Sequence, residues 1–229
     1  MTAAAVEAIQ KGDVESLRRL LQQHPDLVRS RFDGKRTLLH AATDWPGHFP
    51  NNVATVKALI AHGADVNARF VGRHSETPLH WAASCDDVAV LDTLLDHGAG
   101  IDATGAVIGD GTPLADAVAF GQWRAARRLI ERGARATLWQ AAALGLMDRV
   151  TKCFAAAPGP SSHEVTNAFW CACHGGQQEA AAYLLDRGAD RNWIGYNGQT
   201  PLDAALRGAA SELVQWLRDR GAKPAKALP

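Results

Sequence analysis

Cys171 and His174 have the residue types and spacing for nucleophilic chemistry. At i and i+3 they share one face of a helix. A thiol beside an imidazole is either a nucleophile with its base or half of a metal site, and both need a third orienting group or further ligands that no neighbouring residue supplies. Cys173, two positions from Cys171, points to the other side of the helix and makes a poor chelate. Asp116 is a lone acid in apolar surroundings and the candidate general acid or base. It lies two helical units from His174, about 20 Å away at the ~8–10 Å spacing of neighbouring helices, so the two do not form an acid–base couple. The nucleophile elbow G-x-S-x-G, a phosphate-cradling glycine loop, H-E-x-x-H and paired C-x-x-C are all absent from the sequence. No cofactor and no metal are implied.

A second group carries recognition chemistry. Trp45, Trp81, Phe120 and the neighbouring His48 and Phe49, with Asp116 as the single acid, make either a protein-binding hot spot or the floor of a ligand pocket.

The element that must position these residues is Glu76 to Ala99, ETPLHWAASCDDVAVLDTLLDHGA. Thr77 caps a helix and Pro78 takes its first position, where a missing N–H costs nothing. Leu79, Ala82 and Ala83 form its apolar stripe. Asp86 and Asp87 interrupt the pattern and can cap a second helix, whose buried face is Val88, Leu91, Leu94 and Leu95, and Gly98 ends it. A helix pair of this size cannot bury its apolar face alone and must stack on copies of itself. Such copies recur along the chain near 3–33, 34–73, 74–108, 109–135, 136–163, 164–196 and 197–223.

The T-P-L-H-x-A of Thr77 to Ala82, the Gly98-Ala99 pair and a period near ~33 residues resemble the ankyrin repeat. The resemblance implies an all-α, right-handed solenoid in a single domain, with short β-hairpin fingers along one lip of a concave face. The first unit lacks the signature, as expected of a cap that exposes Glu7, Gln10, Lys11, Arg18 and Gln22. The second reaches its closing glycine 26 positions after Thr37, against 21 between Thr77 and Gly98. The extra residues fall in 44–52, where two prolines and a glycine break any helix. This insertion is expected opposite the fingers, where it can fold over the groove as a flap. The fifth unit starts near Ala136, 24 positions after Thr112, so its finger is missing. It runs into the Pro/Gly/Ser loop ending at Ser162, and the sixth opens near Asn167.

The family register places Trp81, Asp116, Gln140, Cys171 and Ala204 in one inner row. Ser84, Ala119, Ala143, His174, Arg207 and Asp44 form the next, and Trp45, Cys85, Phe120 and Leu144 follow. Arg36, Arg73, His74, Glu76, Tyr196, Asn197 and Gln199 are expected at finger tips. His40 and His80 occupy the motif histidine, where the resemblance implies a bond tying neighbouring repeats. Trp139 and Trp170 take that position in units lacking Thr-Pro and replace polar bracing with apolar filling.

The 24 basic and 24 acidic residues leave no charge excess to attract nucleic acid or a lipid surface. No signal peptide or membrane-length apolar run occurs, and four scattered cysteines suit a reducing compartment, so a cytoplasmic location is expected. Two functions follow. The first is a non-enzymatic scaffold that binds a protein partner through Trp45, Arg73, His74, Glu76, Trp81, Cys85, Asp116, Phe120, Gln140, Leu144, His174 and Tyr196. The alternative is an enzyme or small-molecule binder with a pocket floored by Trp81, Asp116, Phe120 and Gln140 and closed by the insertion, with Asp116, His174 or Cys171 as its reactive groups.

Overall fold

The computed structural model describes residues 1–228, and among them fourteen α-helices form seven consecutive pairs. In order these are α1 (Thr2–Lys11) with α2 (Val14–Gln23), α3 (Leu38–Thr43) with α4 (Asn52–Ala61), α5 (Pro78–Ser84) with α6 (Val88–Asp96), and α7 (Pro113–Ala119) with α8 (Trp123–Glu131). Then come α9 (Leu138–Leu144) with α10 (Met147–Ala155), α11 (Ser162–His174) with α12 (Gln178–Leu185), and α13 (Pro201–Arg207) with α14 (Ser211–Asp219). The chain divides into two compact units, 1–134 and 135–229, at the connection where the sequence has no room for a finger.

In the first unit the helix that opens each pair packs on its counterpart in the next (α1, α3, α5, α7), and the closing helices α2, α4, α6 and α8 do the same. Leucines at helical spacing fill the space between these two layers: Leu17, Leu38, Leu59, Leu79, Leu91, Leu94, Leu114 and Leu129 have no exposed surface. Local chemistry agrees with the pattern. Asp13 and Asp87 cap α2 and α6 through Ser16 N–H (3.0 Å) and Val90 N–H (3.2 Å). Gly98 ends the third pair with φ of 87°, a conformation only glycine takes without strain. On the α6–α8 surface, Asp92 accepts from both Arg128 (2.8 Å) and Arg132 (2.8 Å), and Arg132 reaches on to Asp96 (2.7 Å).

The fingers do not form β-hairpins. Among the described residues the one β pairing is an isolated bridge, Phe32 with Arg36. Each finger is too short for a ladder and closes with one or two bonds, such as Phe70 N–H to Glu76 O (2.8 Å), or Gly105 N–H to Asp110 O (3.2 Å) with Ala106 N–H to Gly111 O (3.0 Å).

The 44–52 insertion is a strap and not a free flap. His48 N–H donates to Asp87 (3.3 Å), its ring Nε2 donates to Cys85 O (2.9 Å), Asn52 donates to Asp87 (3.1 Å), and Asn51 donates to Gly12 O (3.0 Å). It therefore bridges the first and third pairs. Two glycines allow the close approach: a Cβ on Gly12 would collide with the Pro50 carbonyl, and one on Gly47 would stand 2.7 Å from Cys85 Cβ.

In the second unit α9, α11 and α13 pack in sequence, with α10 and α12 beside them. Its core is Phe169, Leu184, Leu202, Leu213 and Leu217 with small alanines between. The sixth pair starts earlier than Asn167, because Ser161 and Glu164 form a capping box that extends α11 to thirteen residues.

Candidate functional site

The motif position opens the site. In the second and third pairs a threonine caps the first helix, and the histidine three residues on completes the box. Thr37 N–H donates to His40 Nδ1 (3.3 Å), and Thr77 N–H donates to His80 Nδ1 (3.1 Å). With Nδ1 accepting, each ring is the Nε2–H tautomer, and that N–H donates to the carbonyl just before the next cap: Glu76 O (3.2 Å) for His40 and Gly111 O (3.4 Å) for His80. Burial in this setting lowers the pKa of each histidine to about 4, the contacted carbonyl partly opposing it. Both are neutral struts between repeats.

Trp170 occupies the same place and keeps the polar bond that the sequence reading assigned to the histidines alone: its indole N–H donates to Gln199 O (2.9 Å), immediately before Thr200. Trp139 does not. Thr137 is the cap of α9, so the residue three on is Gln140, whose Oε1 accepts from Thr137 N–H (2.8 Å) and Oγ1 (3.0 Å). Gln140 is thus a buried capping residue, one position out of the inner row assigned to it. Leu144, expected in the same inner wall, is buried as well.

The fourth pair lacks the strut, because Ala115 stands where the histidine would be. Thr112 Oγ1 is left buried without a partner, and no well-formed hydrogen bond reaches either carboxylate oxygen of the nearby Asp116, which has 0% exposure. Asp116 sits in the first turn of α7, at the repeat position of Trp81 on α5. The finger ending at Gly111 lies against this turn: a Cβ on Gly111 would stand 2.8 Å from Ala115 Cβ. Burial, reinforced by the nearby Glu76 carboxylate, raises the Asp116 pKa to about 7, and the Ile108 amide pulls it back only in part. Glu76 is itself buried, which raises its pKa, while the Trp81 indole and His74 favour its charged form. The Trp81 ring meets His40 edge-on at 5.0 Å and Phe70 at 5.7 Å. Glu76, Trp81 and Asp116 therefore share one site, with Thr112 at its edge. Chemically it can hold a proton near neutrality or accept a cation.

Of the remaining candidates in this unit, Trp45 is 82% exposed and Phe120 51% exposed, while Cys85, at their repeat position, is buried with Sγ 3.7 Å from Thr43 O. Burial, helped by Asp44 and Asp87, pushes the Cys85 thiol up to about 11, so it is not a nucleophile. Arg73 is exposed and His74 partly so. A cleft of about 390 Å³ lies between α1 and α2, lined by Glu7, Lys11, Asp13, Ser16 and Arg19, none of them a residue singled out for recognition.

In the second unit, Cys171 and His174 do share a helix face, but the thiol is buried, its Sγ lies 3.7 Å from Asn167 Oδ1, and burial raises its pKa far above neutrality. That removes the thiolate a nucleophile or metal ligand needs. His174 lies 5.5 Å from the Trp170 ring instead. Tyr196, half exposed, meets Trp170 (5.1 Å) and Trp193 (6.0 Å) edge-on and donates to Asn167 (3.0 Å). Among the described residues no cluster of three or more His, Cys, Asp or Glu could hold a metal ion, and no helix is long and apolar enough to cross a membrane.

The family model for ankyrin repeats in three copies matches twice, over residues 51–138 and 138–227. The chain belongs to the ankyrin-repeat family. The human ASB11 ankyrin repeat domain superposes with a TM-score of 0.57 and 24% identity, covering 96% of this chain and 98% of that one, a likeness of fold. The RelA-associated inhibitor of Mus musculus is 51% identical over 53 residues, 23% of this chain and 6% of that protein. The serine/threonine-protein kinase VIK of Arabidopsis thaliana is 36% identical over 90 residues, 38% of this chain and 18% of its own. Those two matches thus span less than a fifth of the relatives' length. Protein PhlB of Serratia liquefaciens is 32% identical over 171 residues, covering 72% of this chain and 71% of that protein. Ankyrin repeats are generally protein–protein interaction modules.

Proposed function

We propose that this ankyrin-repeat chain is a non-enzymatic module that binds a protein partner through its first unit, with Trp45, Trp81, Phe120 and the polar groups Arg73, His74, Glu76 and Asp116 forming the contact face. The observation that carries this reading is the exposure of Trp45, which follows the C-cap of α3 in the second pair, and of Phe120, the C-cap of α7 in the fourth. Trp45 is left mostly in water and Phe120 about half so, at the position where the third pair buries its Cys85. Covered by a partner, each such ring becomes the aromatic anchor typical of interface hot spots. Trp81 and Asp116 lie on the first helices α5 and α7, and Glu76, just before the α5 cap, adds a second polar group.

The test is affinity capture from native lysate with the wild type and with Trp45→Ala plus Phe120→Ala, followed by titration of the purified captured protein. Both positions are exposed, so the double variant is expected to keep the helical circular dichroism and melting temperature of the wild type while losing the partner. Equal affinity of both proteins for everything captured would overturn the reading.

A further inference from the structure

The fourth pair combines three buried polar oxygens, on Thr112 and Asp116, that no well-formed hydrogen bond satisfies, the Ile108 amide offsetting the burial of Asp116 only in part, with a second buried carboxylate on Glu76 and the ring of Trp81. In the second and third pairs the corresponding space is closed by a histidine donating to a carbonyl, so the ankyrin architecture already has a way to satisfy this position and the fourth pair does not use it. Buried polar groups are nearly always hydrogen-bonded, and here two mutually repelling carboxylates are answered only by neutral donors, the Ile108 amide and the Trp81 indole, with no positive charge to compensate them. The group that would answer both is a donor carrying positive charge. The Trp81 indole, whose N–H favours the charged form of Glu76, stands at the edge of this acceptor.

We propose that Asp116 and Glu76, with Trp81 alongside, form an acceptor for one basic side chain, lysine or arginine, of the protein partner. This rests on the protein-binding reading above and names the chemistry of the residue that enters. Trp81 is partly exposed and Phe120 stands one turn beyond Asp116 on α7, so a long aliphatic stem can lie along these rings while its charged head reaches the carboxylates. The head arrives by displacing the 105–111 finger, which among its bonds to the preceding repeat hangs on Ser75 N–H to Gly105 O (3.1 Å) and His80 to Gly111 O (3.4 Å).

The charges around Asp116 favour this occupant. α7 packs on α5 and α8. The α5 side brings Glu76 and the neutral His80. α8 brings Arg124, Arg127, Arg128 and Glu131, with Arg128 held by Asp92 and Glu131. Glu76 is the charge that acts on Asp116, and it repels.

The probes are n-butylammonium and ethylguanidinium, which reproduce the lysine and arginine heads, with n-butanol as the neutral control. They are titrated into the full-length ¹⁵N-labelled chain by NMR. Expected are saturable shifts centred on the Trp81 indole and the Glu76 and Asp116 amides, absent with n-butanol. Which cation binds more tightly separates a lysine from an arginine site. Affinity is expected to rise about tenfold from pH 6 to pH 8, because a carboxyl that titrates near pH 7 must give up its proton to pair with the cation. Asp116→Asn should weaken binding about tenfold and remove the pH dependence. That substitution removes a buried charge, so failure to fold is not expected, and Glu76→Gln offers a second, independent loss of one carboxylate.

No saturable shift from either cation, equal response to n-butanol, or unchanged binding by Asp116→Asn would overturn the acceptor. None of these bears on Trp45, which the acceptor does not use. An acceptor that fails while the Trp45/Phe120 variant still loses its captured partner leaves the protein-binding face standing, and the reverse result removes that face while keeping the cation site.

Discussion

Replacing Asp116 with asparagine should change how stability depends on pH, and the change follows from which state holds the proton. Asp116 ionises near 3.8 in the unfolded chain and near 7 in the fold. Between these values the folded chain keeps a proton that the unfolded chain has released. The group's stabilising contribution is therefore fully present below pH 3.8 and is lost as pH rises through 7. The separation of about three units at ~1.4 kcal/mol each gives a loss of about 4 kcal/mol. His40 and His80 act in the opposite sense. Their folded value of about 4 lies below the unfolded 6.5, so stability from each is present above 6.5 and lost as pH falls toward 4. Between pH 4 and 6.5 these three groups together, two histidines gaining and one aspartate losing, contribute a net rise of about 1 kcal/mol per pH unit. In Asp116→Asn the aspartate's opposition is gone. The slope should approach twice that value, and the variant should gain on the wild type by up to about 4 kcal/mol from pH 4 to pH 8. Urea unfolding followed by far-UV circular dichroism at pH 4, 5, 6, 7 and 8 measures the difference, and the ¹³C shift of the Asp116 carboxyl reads its titration directly. Parallel pH profiles for the two proteins, or a carboxyl that titrates near 4, would refute the reasoning.

Leu94→Ala, at a site without exposed surface in the middle of the first unit, is expected to cost about 2–5 kcal/mol in the urea midpoint, because neighbouring helices cannot collapse into the space. Asp87→Ala removes an acceptor used by Val90, Asn52 and His48 at once, and a loss of about 2 kcal/mol should appear together with faster amide exchange in residues 47–52. Trp170→Phe keeps the ring but not its donor to Gln199 O. About 1–2 kcal/mol should be lost and the Tyr196 ring released, read as a change in tyrosine fluorescence, whereas Trp139→Phe should cost less than 1 kcal/mol because no comparable bond is broken.

The all-α ankyrin solenoid was legible in the sequence because three local signals coincide. Thr-Pro marks a helix start by removing an amide that would go unpaired, leucines at helical spacing mark the buried stripe, and glycine marks the stop. Each depends on a few neighbouring residues, so each survives reading without coordinates. The struts at His40 and His80 were legible for the same reason. What was lost was register where the signature weakens. Without Thr-Pro the fifth pair was read one residue out, which sent Gln140 to the inner wall when Thr137 makes it a capping residue. Ser161-x-x-Glu164 was present as a capping box and would have opened α11 at Ser162. The strap was missed because its anchors, Asp87 and Gly12, lie 35 to 39 residues away, and no local pattern records which of two faces a loop will cover.

The site itself turns on an absence that only comparison between repeats reveals. Alanine at 115 is unremarkable in a helix, and aspartate at 116 stands out in the sequence only as a lone acid in apolar surroundings. Side by side with His80 and Trp81, the pair becomes an exchange: a neutral donor is removed from one position and a charge acceptor is placed at the next. Had selection required only stability, a histidine at 115 and an apolar residue at 116 would have repeated the solution of the preceding pairs. Retaining the acceptor where the repeat normally supplies a donor leaves the fourth pair incomplete by itself, and an incomplete hydrogen-bonding set inside a binding family is the condition under which a partner's donor contributes most to affinity.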